Sequence, residues 1–223
     1  MKSIRFLFSV MLLLATNTYA QDAGGRFSKI WKQTMTNLKP TPWIFGLGAN
    51  LVDDDGNPVK IVLGGRSVNV VPYPSTLMAE KYMDKGWSVA FNFSYNHFKT
   101  GKLINNDIPF TVTSDFLAFD LLAKYNFCEL FDFNKIVFHS ERKILDIYAA
   151  SGFGYTIRNT ARVKDAMTFN LGPGSNIWFT DRWGMNLQAM AKFGLKAPLF
   201  KTPYNYLQYC LGIIYRFKPG GGV

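Results

Sequence analysis

Only two histidines occur in the 223-residue chain, His97 and His139. Imidazole is the side chain best suited to act as a base near neutral pH. A nucleophilic site would add a serine hydroxyl and a carboxylate that orients the ring. Around His97 ("FSYNHF", 93–98) no adjacent serine and no orienting carboxylate is read on the same face of the chain. His139 falls in "FHSERK", a connecting stretch where a solvated or structural role is expected. "DDDGNP" (53–58) has calcium-loop composition, but its acidic residues are adjacent rather than alternate and no Glu closes the loop. It reads as a turn. "GGR" (64–66) and "PGSN" (173–176) are rich in glycine but lack the strand–helix context that cradles phosphate. No cofactor, metal or catalytic residue is assigned, and the chain is not expected to be an enzyme. One charged set remains: Glu80, Asp120, Lys124, Asp146, Lys192 and Arg216. All six are even-numbered.

That shared parity matters because the elements carrying these residues alternate with period two. In "WSVAFNFSYNHF" (87–98), Trp87, Val89, Phe91, Phe93 and Tyr95 alternate with Ser88, Ala90, Asn92, Ser94 and Asn96. Successive side chains of a strand point to opposite faces, so one face is apolar and the other small or polar. The same alternation predicts strands near 42–52, 115–127, 145–157, 166–179, 183–195 and 205–217. A weaker eighth lies at 75–83, joined to Trp87 by a "DKG" hairpin turn. Most of these stretches reach the ~9–11 residues that a tilted transmembrane strand needs.

In an up-and-down arrangement the starts of odd strands lie level with the ends of even ones. Trp43, Trp87 and Trp183 then share a level with Tyr125, Phe127, Phe179, Tyr215 and Phe217. Tyr95, Phe153, Tyr155, Phe169, Phe193 and Tyr209 share the opposite level, and Leu47, Leu121, Leu187, Leu211 and Ile213 lie between. An apolar band between two aromatic girdles suits a lipid-facing wall. Turned inward, several large rings per layer would overfill an eight-stranded interior. The predicted fold is therefore all-β: an eight-stranded antiparallel up-and-down transmembrane β-barrel, apolar side out. Its lumen holds the six charges and many glycines. Charges in so narrow a space must be paired or hydrated. They form either a polar network that fills the lumen or the lining of a gated pore.

"MKSIRFLFSVMLLLATNTYAQ" places Lys2 and Arg5 before an apolar run from Phe6 to Ala15, then small residues Thr18 and Ala20 ahead of Gln21. This is expected to be a signal peptide (1–20), too short in its apolar part to span a bilayer. The remaining organisation is expected to be an N-terminal periplasmic segment (21–41), the barrel (42–218) and a short tail (219–223). The chain is 48% hydrophobic and 18% charged, enough apolar matter for a core but dispersed rather than collected into spanning helices. Its formal charge of +10 comes without an aromatic–basic motif for nucleic acid, which is not an expected partner. Lipid phosphates or a charged interior account for the excess. Cys128 and Cys210 are expected to be free.

The last strand, "LQYCLGIIYRF" (207–217), is similar to the C-terminal signal of outer-membrane barrels in its Gly212, Tyr215 and Phe217. Over 43–218 the chain resembles the N-terminal barrel of OmpA-like outer-membrane proteins, in the Bacteroidetes style. The likeness is carried by "VVPYPSTLMAEKYMDKGWSVAFNFSYNHF", "AFDLLAKYNF", "YAASGFGYT", "NLGPGSNIWFTDRWGMNLQAMAKFG" and "NYLQYCLGIIYRF". The resemblance implies an eight-stranded barrel in the outer membrane of a Gram-negative bacterium, in contact with lipid and lipopolysaccharide and inserted by the outer-membrane assembly machinery. Such proteins often continue into a peptidoglycan-binding domain, whereas this sequence runs to "KPGGGV", so wall anchoring is not carried over. Short turns are expected on the periplasmic side. The stretch 128–144 ("CELFDFNKIVFHSERKI") is long and apolar for such a turn, and strands extended below the membrane are one reading of it.

Ahead of the first strand, Phe27, Ile30, Trp31, Met35 and Leu38 recur at helical spacing in "RFSKIWKQTMTNLKP" (26–40), and Pro40 ends the run. A short amphipathic periplasmic helix there, with Phe27, Trp31 and Leu38 as its docking stripe, could rest on the inner leaflet, the lower mouth of the barrel or another envelope protein. Two functions follow: a non-enzymatic structural or accessory subunit of an envelope complex such as a secretion or assembly machine, or a lipid-modifying enzyme or small pore.

Overall fold

The computed structural model describes residues 41–55, 67–104, 108–109, 113–131, 133–158, 163, 165–196 and 203–217. The expected signal peptide, the 26–40 helix with Phe27, Trp31 and Leu38, and the 219–223 tail lie outside the described residues.

Eight long strands follow one another: β1 (Trp43–Asp53), β2 (Thr76–Asp84), β3 (Trp87–Phe98), β4 (Ser114–Asn126), β5 (Leu145–Arg158), β6 (Ala166–Trp178), β7 (Trp183–Gly194) and β8 (Tyr206–Phe217). Each pairs antiparallel with its chain neighbour, and β8 returns to β1 in an unbroken register from Trp43↔Phe217 to Asp53↔Leu207. The sheet is a closed barrel. A short strand, Val68–Val70, adds to the upper end of β1, and Leu103–Ile104 pairs with Ile108–Pro109 as a small separate hairpin. The period-two stretches locate the long strands to within one residue at each end.

Local chemistry sets the connections. The β2–β3 turn is Lys85-Gly86, both at positive φ (50° and 82°). That is the conformation whose twist matches a two-residue hairpin. The 127–144 stretch does not extend the strands. Asn126 Oδ1 accepts from Cys128 N at 2.9 Å and starts a 3-10 turn, Phe127–Glu129. A short helix, α1 (Phe133–Phe138), follows. Asn134 then ties α1 to the start of β5 and the residue before it: its Oδ1 accepts from Ile144 N (2.9 Å) and Leu145 N (2.8 Å), and its Nδ2 donates to Leu145 O (2.8 Å).

Exposure follows parity with the sign reversed from a soluble protein. Trp43, Trp87, Trp183, Leu47, Leu121, Leu187, Leu211, Ile213 and Phe217 are exposed, while Asn92, Asp120, Lys124, Asn170, Gln188 and Lys192 are buried. Leaving so continuous an apolar belt in water is unfavourable by ~25 cal/mol per Å², so the belt requires a hydrocarbon solvent. Both belt edges carry rings in contact across the ladder, Trp87–Tyr125 and Trp183–Tyr215 below (centroids 4.8 Å each), Phe153–Phe169 above (5.8 Å).

Candidate functional site

Adjacent strands pass the even-numbered side chains into one lumen, where the charges meet in layers. Nearest the end that carries Trp43 and Phe217, Arg216 lies 3.7 Å from Asp146 Oδ2 and over the Trp178 ring, also 3.7 Å away. Trp178 Nε1 donates to the same Asp146 oxygen (2.7 Å), and Asn126 Nδ2 to the other (2.8 Å). Above this, Lys124 Nζ donates to Glu80 Oε2 (2.7 Å) and faces the Tyr148 ring, while Ser88 Oγ donates to Glu80 Oε1 (2.7 Å). Higher still, Lys192 Nζ donates to both Asp120 oxygens (2.7 and 2.6 Å), and Asn170 Nδ2 donates to Oδ1 (2.8 Å). The six charges thus form three ion pairs, each spanning different strands. Ion attraction in this low-dielectric interior offsets part of the desolvation of both partners.

A fourth pair was not anticipated. Arg158 donates to Asp54 Oδ1 (3.0 Å) and to Pro203 O (2.8 Å), with both side chains of the pair buried. Asp54 sits just beyond β1, and burial raises its carboxyl to about 6 even beside the guanidinium. Both residues are even-numbered, so extending the lumen parity past the strand ends would have found them. Beneath the pair, Phe98, Phe116 and Tyr206 pack edge to face inside the barrel (5.4 Å), and Tyr206 and Thr156 share a 2.6 Å hydroxyl contact.

These rings, with Tyr148 and Trp178, correct the expectation that large aromatics lie outside. The lumen takes them because glycines face them: a Cβ on Gly174 would sit 2.4 Å from the Tyr148 ring. Gly154 does the same for the network, since a Cβ there would lie 2.2 Å from Asp120 Oδ1. At mid-barrel the free space, bounded by Asn92, Asn186, Gln188 and Cys210, narrows to about 20 Å³, room for roughly one water, whereas below it a recess of about 400 Å³ is lined by Glu80, Lys124, Asp146 and Arg216.

The expectation that His97 lacks an orienting carboxylate is also corrected. Asp115, its cross-strand partner, approaches Nδ1 at 2.9 Å and accepts from Tyr95 OH at 2.8 Å. A partner on the next strand is invisible to a search along one strand. No hydroxyl or thiol among the described residues is hydrogen-bonded to this imidazole, so the pair lacks a nucleophile. Gly212, Tyr215 and Phe217 lie on β8, where Tyr215 packs on Trp183 and Phe217 (4.8 Å each). Cys128 and Cys210 are both free thiols.

No family model matches the chain, and no curated protein matches it. Among solved structures it is similar to the outer membrane protein OprG of Pseudomonas aeruginosa, with a TM-score of 0.53 and 13% identity over 79% of this chain and 96% of that one. The fold is that of an outer-membrane β-barrel. The N-terminal barrel domain of OprF from the same organism is also similar (TM-score 0.48, 11% identity, 79% and 97% covered). So is Neisserial surface protein A (0.46, 8%, 82% and 99%). At these identities the likeness is one of fold.

Proposed function

We propose that the chain is a non-enzymatic barrel of the Gram-negative outer membrane that acts as a closed scaffold, a structural or accessory subunit of a larger envelope complex. One observation carries this reading: charges of both signs are paired across the lumen in successive layers, and the free space at mid-barrel admits about one water. Conduction requires sites that an ion can enter and leave, whereas here each buried cation is already held by a carboxylate. A barrel with a closed lumen and, among the described residues, no nucleophile hydrogen-bonded to the His97–Asp115 pair contributes through its surfaces. Lipid and lipopolysaccharide cover the belt, and the assembly machinery reads Gly212, Tyr215 and Phe217 on β8. The subunit role itself draws on the apolar stripe Phe27, Trp31 and Leu38 ahead of β1.

Two measurements test the proposal. Purified protein in planar bilayers should give no steady single-channel current; large stable conductance would overturn the closed lumen. Purification from native membranes in mild detergent should retain envelope proteins that are lost when Phe27, Trp31 and Leu38 are changed to Ser. The same partners at the same yield would reject that stripe as the docking element.

A further inference from the structure

The connection between β4 and β5 shares with the barrel wall a set of large, exposed apolar side chains. Glu129, Asn134, Ser140, Lys143 and Asp146 line a polar recess of about 360 Å³ between the connection and the barrel end. Lys143 pairs with Glu129 there, and Cys128 Sγ accepts from Ile147 N (3.2 Å). The large apolar side chains of the connection do not line this recess. Phe131 and Ile136 are each 67% exposed, more than the lipid-facing Leu121 and Ile213 at 61%, and Leu130, Val137 and Phe138 are exposed beside them. A connection folded for water would bury a contiguous group of large apolar side chains such as these.

Two further observations identify what covers the apolar side. The first is its level. Asn134 pins α1 to Ile144 and Leu145, and Leu145 is in register with Ile177, one residue from the strand end. The second is continuity with the belt. Trp87 packs on Tyr125, and Tyr125 packs on Phe127 (5.4 Å, edge to face), so the girdle runs without a break into the connection.

We propose that residues 127–144 form an in-plane foot lying in the lipid interface at the end of the barrel that carries Trp43 and Phe217, with Phe131, Ile136 and Phe138 among acyl chains. Helices of this kind bury their apolar face about 5–10 Å into the headgroup–acyl boundary. The charges of the segment balance, Lys135, Arg142 and Lys143 against Glu129, Asp132 and Glu141, so the fitting surface is zwitterionic phospholipid rather than an anionic patch. The foot widens the barrel's footprint on one side and fixes its depth and rotation relative to one leaflet.

The test places an environment-sensitive fluorophore on Ile136→Cys, with Glu141→Cys as the polar-side control, both in a Cys128→Ser/Cys210→Ser background. Heat-modifiable gel mobility verifies that each variant is a folded barrel. In phosphatidylcholine vesicles the probe at 136 should be blue-shifted, should lose most of its emission to lipids brominated near the headgroup, and should resist aqueous iodide. The probe at 141 should show the reverse. Iodide quenching at 136 equal to that at 141 overturns the proposal. So does protection at 136 in native membranes but not in pure lipid vesicles, because that outcome assigns the face to a protein partner.

Discussion

Removing the Asp120 carboxylate is the sharpest test of the paired lumen. Asp120 accepts two bonds from Lys192 Nζ and one from Asn170 Nδ2, and both partners of the ion pair are almost completely buried. In Asp120→Ala the ammonium loses both of its charged contacts. Among its aromatic contacts the Tyr206 ring stays at 5.4 Å, and a desolvated cation–π contact contributes only about 2 kcal/mol or somewhat more. Breaking a buried pair by deleting one partner costs ~3–5 kcal/mol. The double replacement Asp120→Leu/Lys192→Met removes both charges at similar volume and should return stability to within about 1 kcal/mol of the parent or better. Urea unfolding and refolding in phospholipid vesicles, followed by tryptophan emission and heat-modifiable mobility, gives both numbers. Glu141→Ala is the control, since the exposed Lys135–Glu141 pair is expected to contribute ~0–1 kcal/mol. If Asp120→Ala costs no more than Glu141→Ala, the lumen is hydrated enough to solvate a lone ammonium and the closed-scaffold argument is wrong.

Three further outcomes are expected. Leu121→Arg, on the lipid face, should destabilise by ~2–4 kcal/mol near the bilayer midplane; a cost below about 0.5 kcal/mol, the range of an ordinary water-exposed substitution, would contradict the assignment of that face to lipid. Asp54 has a folded-state value of about 6, above its unfolded value of ~3.9. The folded barrel therefore binds this proton more tightly, and its contribution to stability is present at low pH and lost as pH rises through about 6. Asp54→Asn should abolish that slope, and an unchanged slope would assign it elsewhere. Burial raises the Cys128 thiol above its ordinary value, so the folded barrel should react slowly with maleimide at position 128 at neutral pH in a Cys210→Ser background, and unfolding should release it; fast reaction in the folded state would contradict the buried geometry.

The strands were legible because a transmembrane wall imposes one strict rule on every second residue. Once Phe91 and Asn92 are assigned to opposite faces, the rest of their strand follows, and Leu121 and Asp120 repeat the assignment across the ladder. Contacts made between strands were not legible from alternation alone. His97 and Asp115 are neighbours because the β3–β4 register brings them opposite each other, and no single strand records that register. The Asp54–Arg158 pair joins residues more than a hundred positions apart. Parity gave their common face, but strand reading stopped at the ends of the regular alternation. The 127–144 connection failed for a third reason. Its apolar residues obey neither period for long, and its conformation is set by two asparagines, Asn126 and Asn134, acting on backbone groups.

The β1–β8 seam has a consequence for the order in which the barrel forms. Every other long ladder joins strands adjacent in the chain, while this one joins the first to the last. At its centre Gly48 faces Gly212, and a Cβ on Gly48 would stand 2.1 Å from Leu211 O, so no side chains reach across to begin the pairing there. Loop closure costs only about 0.6 kcal/mol more for each doubling of loop length, yet non-local pairing is slow because that entropy is lost before the contacts form. The local hairpins are free to assemble first and leave a curved, open sheet whose two bare edges are β1 and β8. Bare edges pair with whatever strand is offered. Until the seam closes and brings Phe45 against Phe217 at its aromatic lower end, the chain is open to a strand of the insertion apparatus or to a second copy of itself.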